Sequence, residues 1–246
     1  MTMSLTIQRS VVAPRTAAPP DFVGVGAQKC GTSWWYSLVA EHPMVHDPAG
    51  FDKEARFFCQ PGPFDLAAYH ALFARPSGRI AGEWTPDYLW ESSSMDGVAA
   101  AAPHAKILLL VRDPVERFVS GLGHLLMYDE PIHRRALRKT YRAGLYGVQA
   151  RRLLRRFPRA QVCVLQYERC VADPSGELAR TYAFLGLDPS FTPDSPTRLV
   201  HETSVEKPIL PPRFAARIAA GYRRDSHRFA SLFPEVDLRL WPSMAR

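Results

Sequence analysis

Metal-binding and disulfide patterns are missing from this chain. Its 246 residues include four cysteines, none in a Cys-x-x-Cys pair and none spaced with histidine as zinc ligands are. One of them, Cys163, lies in an apolar run and is predicted to be a small buried hydrophobe. We therefore expect reduced thiols, a cytoplasmic location and no bound metal.

Long apolar runs are missing too. No stretch approaches the roughly 20 apolar residues of a transmembrane helix. Residues 1–20 lack the apolar segment of a signal peptide, and Pro14, Pro19 and Pro20 interrupt them. We expect residues 1–20 to be a disordered leader, residues 21–246 to form one domain, and the protein to make no stable insertion into a membrane.

Acidic residues are outnumbered by basic ones. The net charge of +7 and isoelectric point of about 9.4 suit an anionic ligand. Many basic residues lie between Arg134 and Arg159, where they form either the solvated face of an amphipathic helix or a surface for an anionic acceptor. No nucleic-acid recognition module accompanies them, so we expect no nucleic-acid partner.

Strand-like and helix-like segments alternate along the chain. The predicted strands are residues 22–26, 44–46, 79–83, 105–111 and 161–166. The predicted helices are residues 31–41, 65–73, 95–102, 114–128, 141–157, 175–185 and 212–232, with a long loop over 188–212. Such alternation predicts an α/β fold with a mostly parallel central sheet flanked by helices on both faces.

A glycine-rich loop joins the first predicted strand to the first predicted helix. Gly26 and Gly31 have the spacing of the nucleotide-triphosphate loop G-x-x-x-x-G-K-[ST]. Thr32 stands where that pattern requires lysine, and Lys29 lies inside the loop instead. Because backbone N–H groups at a strand-to-helix turn bind anions, the loop predicts a phosphate site. The displaced lysine argues against an ordinary kinase or ATPase.

A second phosphate-type motif follows the fourth predicted strand. Arg112, at the strand end, has a planar guanidinium that suits phosphate. Asp113 and Pro114 suit the N-cap and first turn of a helix. Arg117 and Ser120, three residues apart, share a face of that helix. The alternative is that Arg112 only pairs with a neighbouring carboxylate.

The two motifs together resemble those of sulfotransferases that use 3′-phosphoadenylyl sulfate (PAPS). The run Gln-Lys-Cys-Gly-Thr-Ser resembles the 5′-phosphosulfate loop of that family. The run from Arg112 to Ser120 resembles its 3′-phosphate motif, Arg-x-Pro-x-x-Arg-x-x-Ser. The resemblance covers nearly all of the chain after the leader and is to soluble bacterial members and to heparan sulfate or glycan-type members. It implies a single P-loop-like domain and an enzyme that requires no metal.

The resemblance also implies a donor site, residue by residue. Lys29 is the catalytic candidate that stabilises the departing phosphate, and Tyr167 matches the family tyrosine that approaches the adenosine. Glycan-type relatives carry Lys-Gly-Arg near the C-terminus for the 3′-phosphate, and here only Lys207 can substitute. The implied donor-binding residues are Gln28, Lys29, Cys30, Gly31, Thr32, Ser33, Arg112, Ser120, Tyr167 and Lys207.

Three residues compete for the role of general base. Glu54 lies in Lys-Glu-Ala-Arg-Phe-Phe, which is similar to the base-bearing element of glycan-type sulfotransferases, and His124 occupies the position of a histidine in heparan N-sulfotransferases. Glu83 lies in a run that resembles the family's Glu-Lys-[Ser/Thr]-Pro-x-Tyr, and we expect it to contact or position the acceptor with Trp84 and Tyr88. Trp84 replaces a lysine that contacts anionic glycan in relatives, which favours a less charged or more apolar acceptor.

The implied reaction is transfer of a sulfuryl group from PAPS to a hydroxyl, or else an amine, of a glycan, a glycolipid or a secondary metabolite. The partner is thus a small-molecule or glycan acceptor. Neither its identity nor the oligomeric state can be read from the sequence. The alternatives are a nucleotide-binding protein without catalysis and an atypical P-loop kinase, which Thr32 disfavours.

Overall fold

Parallel strands form the central sheet of the protein. The computed structural model describes residues 14–48, 50–127, 133–194 and 208–244. Within these ranges the sheet has four strands, in the spatial order β2-β1-β3-β4, and every neighbouring pair is parallel. The strands are β1 (Phe22–Gly26), β2 (Gly82–Trp84), β3 (Lys106–Val111) and β4 (Val162–Gln166). The predicted α/β fold with a mostly parallel sheet is confirmed.

The strands are apolar because both faces of the sheet are covered. Every residue of β1, β2 and β4 is buried, and in β3 only Lys106 is partly accessible. Gly24 allows this packing in the middle of β1, because a Cβ there would lie 2.1 Å from the ring of Trp84. The side chain of Trp84, the last residue of β2, therefore packs directly on the backbone of β1.

Helices surround the sheet. They are α1 (Thr32–Ala40), α2 (Leu66–Ala71), α3 (Ser92–Ala101), α4 (Pro114–Met127), α5 (Arg134–Arg142), α6 (Tyr146–Leu153), α7 (Tyr167–Ala172), α8 (Pro174–Leu185) and α9 (Pro212–Leu232). Short 3₁₀ turns lie at Phe57–Cys59, Pro86–Leu89, Arg159–Gln161 and Leu238–Leu240.

The single helix predicted over residues 141–157 is wrong. The chain ends α5 at Arg142 and begins α6 at Tyr146. The carboxylate of Asp225 in α9 accepts hydrogen bonds from Gly147 N at 2.7 Å and Val148 N at 3.0 Å, so it caps the start of α6 from another helix. A cap supplied by a residue so distant in sequence leaves no local pattern.

Two shorter predictions also differ from the structure. The strand predicted over residues 44–46 is reduced to an isolated bridge between Val45 and Ile80. Residues 167–172 form a helix, α7, that the sequence did not predict; it starts directly after Gln166, the last residue of β4. Of the long loop predicted over 188–212, residues 195–207 lie outside the described ranges.

The strand order places a crevice between β1 and β3. The chain passes from β1 to β2 on one side and then crosses to β3 and β4 on the other. In open parallel sheets, ligands bind at the carboxyl ends of the strands where the winding direction reverses. The glycine loop follows β1 and the Arg112 motif follows β3, so both lie at this edge.

The structure describes the N-terminal segment from Pro14 onwards. Thr16 forms an antiparallel bridge with Arg75, while residues 1–13 lie outside the described ranges, so the leader stays a prediction. Among the helices of the described residues, none has the length and apolar character needed to cross a bilayer.

Candidate functional site

The glycine loop turns from β1 into α1 through a left-handed residue. Gly31 has φ of 87°, a conformation that glycine adopts at little cost, and a Cβ there would lie 3.0 Å from the ring of Tyr167. Thr32 is the first residue of α1, so unpaired N–H groups of its first turn lie beside the loop. The local fold is therefore suited to bind an anion.

Lys53 lies at this helix end, although it is far from the loop in sequence. Its Nζ donates to Ser33 Oγ at 2.9 Å and to Thr32 Oγ1 at 3.3 Å, and it forms an ion pair with Glu54 Oε1 at 2.8 Å. Sequence reasoning did not include Lys53 among the site residues. Its only sequence signal is its position directly before the candidate base.

The loop lysine, Lys29, lies in a strongly basic environment. Burial lowers the pKa of its ammonium group, and the charges of Arg117 and Lys53 lower it further. Arg117 is fully buried; its Nη2 donates to the carbonyl of Thr140, whereas its Nε and Nη1 have no partner among the described residues. Cations crowded in this way favour binding of an anion beside them.

The Arg112 motif begins α4 as its sequence predicts. Asp113 accepts hydrogen bonds from Val115 N at 2.8 Å and Glu116 N at 3.2 Å, which caps the helix. The guanidinium of Arg112 pairs with Glu116 Oε2 at 3.2 Å and lies 4.7 Å from the ring centre of Tyr167. The pair with a neighbouring carboxylate, which the sequence left open, is thus present.

Two further candidates lie on the same helix. Ser120 and His124 are both half-buried on α4, one turn apart. Gln28 is likewise half-buried in the glycine loop. Lys207, the candidate substitute for the family's C-terminal basic element, lies outside the described residues.

Two tyrosines, the buried Tyr146 and the half-buried Tyr167, join the two motifs. Tyr146 donates its hydroxyl to the carbonyl of Arg112 at 3.0 Å and also contacts Cys30 Sγ at 3.4 Å. Burial raises the pKa of the Cys30 thiol to about 11, so its side chain is an uncharged core group. Tyr167 contacts both Gly31 and Arg112, as described above. The structure therefore brings the two phosphate-type motifs together around the crevice between β1 and β3.

Glu54 lies where the basic loop meets solvent. Besides the ion pair with Lys53, its Oε2 lies 3.4 Å from Arg56 Nη1, and its side chain is 29% exposed. An accessible carboxylate held by two cations has a defined position and still has lone pairs free to accept a proton.

Glu83 lies behind Glu54 and is completely buried. Its two oxygens accept hydrogen bonds from Tyr69 at 2.7 Å, Tyr88 at 3.1 Å, Thr85 at 2.5 Å and the backbone N–H of Ala55 at 3.0 Å. Burial raises the pKa of its carboxyl, and the hydrogen bonds oppose that shift. Through the Ala55 bond, Glu83 fixes the backbone next to Glu54.

The two aromatic residues predicted to contact the acceptor are also buried. Trp84 donates Nε1–H to the carbonyl of Gly26 at 3.1 Å, and Tyr88 donates to Glu83. Neither has accessible surface. Glu83, Trp84 and Tyr88 together form a support beneath the site, and a direct contact between any of them and an acceptor would require these residues to move.

A cavity of about 710 Å³ opens beside Glu54. It lies along one face of α1, where Ser33, Tyr36 and Ser37 line it, and Lys53 borders it. It is of the size that small ligands occupy. No group of residues able to hold a metal ion occurs in the parts of the chain that the structure describes.

Comparison with known proteins gives a consistent result. The family model described as "Sulfotransferase domain" matches residues 19–209. Human heparan sulfate glucosamine 3-O-sulfotransferase 3B1 is 32% identical over 68% of this chain and 46% of its own length. Human heparan sulfate glucosamine 3-O-sulfotransferase 6 is 31% identical over 68% of this chain and 52% of its own. The chain thus spans about half the length of these curated relatives.

A solved structure agrees over a larger part of the chain. The sulfotransferase from Alicyclobacillus acidocaldarius superposes with a TM-score of 0.75 at 29% identity, covering 91% of this chain and 99% of that one. The sulfotransferase domain from the curacin biosynthetic pathway, at 13% identity and a TM-score of 0.54, shares the fold.

Proposed function

Because this chain belongs to the sulfotransferase domain family, we propose that it transfers a sulfuryl group from PAPS to a hydroxyl of a glycan, a glycolipid or a secondary metabolite. The observation that carries the proposal is the meeting of two phosphate-type motifs at the crevice between β1 and β3, joined by Tyr146 and Tyr167. A donor with phosphates on both the 5′ and the 3′ position of its ribose requires two such motifs in one place.

The donor's two phosphates are assigned to the two motifs. The 5′-phosphosulfate binds the N–H groups of the glycine loop, with Lys29 and the hydroxyls of Thr32 and Ser33 beside it. The 3′-phosphate binds Arg112 and Ser120. When it binds, Arg112 exchanges its surface pair with Glu116 for a doubly charged phosphate, which is a stronger partner.

In sulfuryl transfer the protein mainly positions the reactants and stabilises the leaving group. An acceptor oxygen forms a bond to sulfur while the bond between sulfur and the bridging oxygen breaks, and that electron pair remains on the departing phosphate. Lys29 and Lys53 both lie at the loop and offset this developing charge. The sequence indicated only Lys29 for this role, and Lys53 is added because of its contacts with the loop.

Glu54 is the proposed general base, which takes the acceptor's hydroxyl proton. It is accessible, it borders the cavity, and its neighbour Lys53 contacts the loop hydroxyls, so one short segment joins the base to the leaving-group side. Glu83 is proposed as a positioning residue for that segment. His124 remains the alternative base, because it follows Ser120 by one turn on α4.

Calorimetry with adenosine 3′,5′-bisphosphate (PAP) and turnover of labelled PAPS test the proposal. PAP should bind without metal, while ATP with magnesium should bind more weakly. Label should pass from PAPS to acceptors in a mixture of glycans and metabolites, with a mass gain of SO₃. Tight binding of ATP–magnesium without PAP binding would contradict the donor assignment, and PAP binding without turnover of any acceptor would favour a non-catalytic nucleotide-binding protein.

A further inference from the structure

Exposed apolar side chains are concentrated where α4 ends and α9 begins. Leu126 and Met127, in the last turn of α4, are 46% and 43% exposed, and Ile209, three residues before α9, is 92% exposed. Phe214, in the first turn of α9, is 37% exposed. Of the seven large hydrophobic side chains that are exposed in the described parts of the chain, these four belong to one region, which we call the apolar end.

The two segments that form the apolar end pack against each other. The ring centroid of Phe214 lies 6.4 Å from that of Phe118 in α4, and a Cβ on Gly123 would lie 3.4 Å from the ring of Pro208. The start of α9 and the residues just before it therefore run along α4. The exposed side chains continue from these contacts, by one residue at Ile209 and by about one turn at the end of α4.

Exposed arginines accompany the apolar end on two helices that lie side by side. The ring of Tyr141 in α5 stacks on that of Tyr222 in α9, with centroids 4.6 Å apart, and its hydroxyl lies over Gly221. Residues one turn apart share a helix face. Arginines occupy positions one or two turns from Tyr141 on α5 and one turn from Gly221 on α9. They are Arg134, Arg138, Arg217 and Arg224, all of them exposed.

These four arginines have no acidic counterpart on their own helices. No acidic residue occurs in α5, and the only one in α9 is Asp225, which is buried and caps α6. Within the described ranges, the only ion pair of either helix joins Arg228 to Asp225 at 4.0 Å. An apolar patch beside unpaired cations is typical of an interaction surface.

The apolar side chains distinguish between the possible anionic partners. A nucleic acid or a soluble anionic glycan would pair with the arginines but has no apolar phase for a side chain as exposed as Ile209. An anionic bilayer has both, because its headgroups attract cations and its acyl chains accept apolar side chains. None of the described helices is able to cross a bilayer, so the contact would be with its surface.

We propose that the apolar end and the four arginines of α5 and α9 dock the protein onto the surface of an anionic lipid bilayer. The apolar side chains enter the boundary between headgroups and acyl chains, and the arginines pair with lipid phosphates beside it. The apolar end begins within one turn of His124 on α4, so docking holds the candidate site close to the bilayer. Because docking requires neither donor nor acceptor, the inference is independent of the proposed reaction.

Cosedimentation with lipid vesicles is the first test. Vesicles of phosphatidylcholine alone are compared with vesicles that also contain phosphatidylglycerol, at low and at physiological ionic strength. The protein should bind the anionic vesicles at least about tenfold more tightly than the neutral ones, and added salt should weaken that binding. Absence of binding to the anionic vesicles at low ionic strength, or equal binding to both kinds, would overturn the inference.

The second test removes apolar contacts and keeps every charge. Leu126→Ser combined with Ile209→Ser should weaken binding to anionic vesicles by about tenfold, since these side chains no longer enter the bilayer. The matched control is Met44→Ser combined with Val171→Ser, which removes two side chains that are 44% and 51% exposed elsewhere in the fold and should bind as wild type does. Unchanged vesicle binding by the Leu126/Ile209 variant would contradict docking through the apolar end.

The third test removes charge and keeps the apolar end. Arg138→Gln combined with Arg217→Gln should weaken binding to anionic vesicles by about tenfold or more. The matched control is Arg15→Gln combined with Arg79→Gln, which lowers the net charge equally at exposed positions before β1 and β2 and should bind as wild type does. Equal losses in the two variants would reduce the effect to the general attraction of a basic protein and would overturn docking through this surface.

Heparin separates a lipid surface from a soluble polyanion. It should bind wild type and the Leu126/Ile209 variant equally, because it contacts only the cations, whereas anionic vesicles should distinguish the two proteins. Tight binding of heparin without binding of anionic vesicles would assign the surface to a soluble polyanion and contradict the bilayer as its partner.

Discussion

The two sides of the candidate site differ in charge, and two consecutive residues mark the boundary. On the crevice side, Lys29, Arg112 and buried Arg117 converge on the glycine loop and the start of α4. On the cavity side, the carboxylates of Glu41, Asp47, Asp52 and Glu54 form part of the lining. Lys53 and Glu54, paired at 2.8 Å, both line the cavity, and Lys53 also donates to the hydroxyls of Thr32 and Ser33 at the glycine loop.

The difference shows that the net charge of the protein describes only one of the two sides. A value of +7 indicates anionic ligands, and the crevice agrees with it, but the cavity lining has the opposite sign. Local potentials act over roughly a Debye length, about 8–10 Å at physiological salt. Two neighbouring subsites can therefore favour ligands of opposite charge when the residues that line them come from different segments.

The largest effect is expected where the two sides meet. Glu54→Gln keeps the size and hydrogen-bonding capacity of the side chain but accepts no proton at neutral pH. Turnover of labelled PAPS should fall by about 10²- to 10⁴-fold while PAP affinity stays near wild type. His124→Ala should lose less. If Glu54→Gln retains most activity and His124→Ala has none, the role of base belongs to His124.

Arg112→Ala tests the basic side alone. Loss of a charge-assisted contact to the 3′-phosphate should weaken PAP binding by roughly 1.5–3 kcal/mol, and Ser120→Ala should weaken it less. Calorimetry with PAP and with adenosine 5′-phosphate measures this directly. The compound without the 3′-phosphate should bind the variants as it binds wild type. An unchanged PAP affinity in Arg112→Ala would make that residue structural.

Glu83→Gln tests the support beneath both sides. The amide would place an N–H group against donors that now face a carboxylate oxygen, including Ala55 N–H at 3.0 Å. One buried donor is then left unsatisfied, which typically costs about 1–3 kcal/mol of unfolding free energy. Urea unfolding measures it, and Glu54→Gln, at an accessible ion pair, is the control that should cost less. Equal stability of Glu83→Gln and wild type would remove its positioning role.

The smallest expected effect is that of chelation. Turnover should be unchanged by EDTA, because protein cations at the loop offset the charge of the departing phosphate. Complete loss of turnover in EDTA, with recovery when magnesium is added, would indicate kinase-like chemistry. It would also contradict the proposal that protein cations alone offset the charge of the leaving phosphate.

Local signals in the sequence were enough to predict β1, α4 and α9 closely, because each combines an apolar pattern with a glycine or proline at one end. The Asp113 cap belongs to the same class. The break between α5 and α6 was not predictable in this way, since Asp225 supplies its cap from α9.

The residues of the candidate site likewise fall into those that local sequence signals identify and those that only the fold brings to the site. Residues within the two motifs could be identified from their spacing, whereas Lys53 reaches the loop only through the fold. The burial of Glu83, Trp84 and Tyr88 behind the site could not be predicted either, because a polar residue after a strand has the same pattern whether it faces a ligand or a core. The cavity's carboxylates lie between Glu41 and Glu54 in the sequence, and of them only Glu54 belongs to a motif that could be identified.

The central claim is that the donor occupies the basic crevice and leaves the acidic cavity to the acceptor. A crystal structure of the protein with PAP tests it most directly. The expected result is PAP between the carboxyl ends of β1 and β3, with its 5′-phosphate on the loop from Gln28 to Ser33 and its 3′-phosphate on Arg112 and Ser120. PAP bound in the cavity beside Asp47 and Asp52, or with neither phosphate on these motifs, would contradict it.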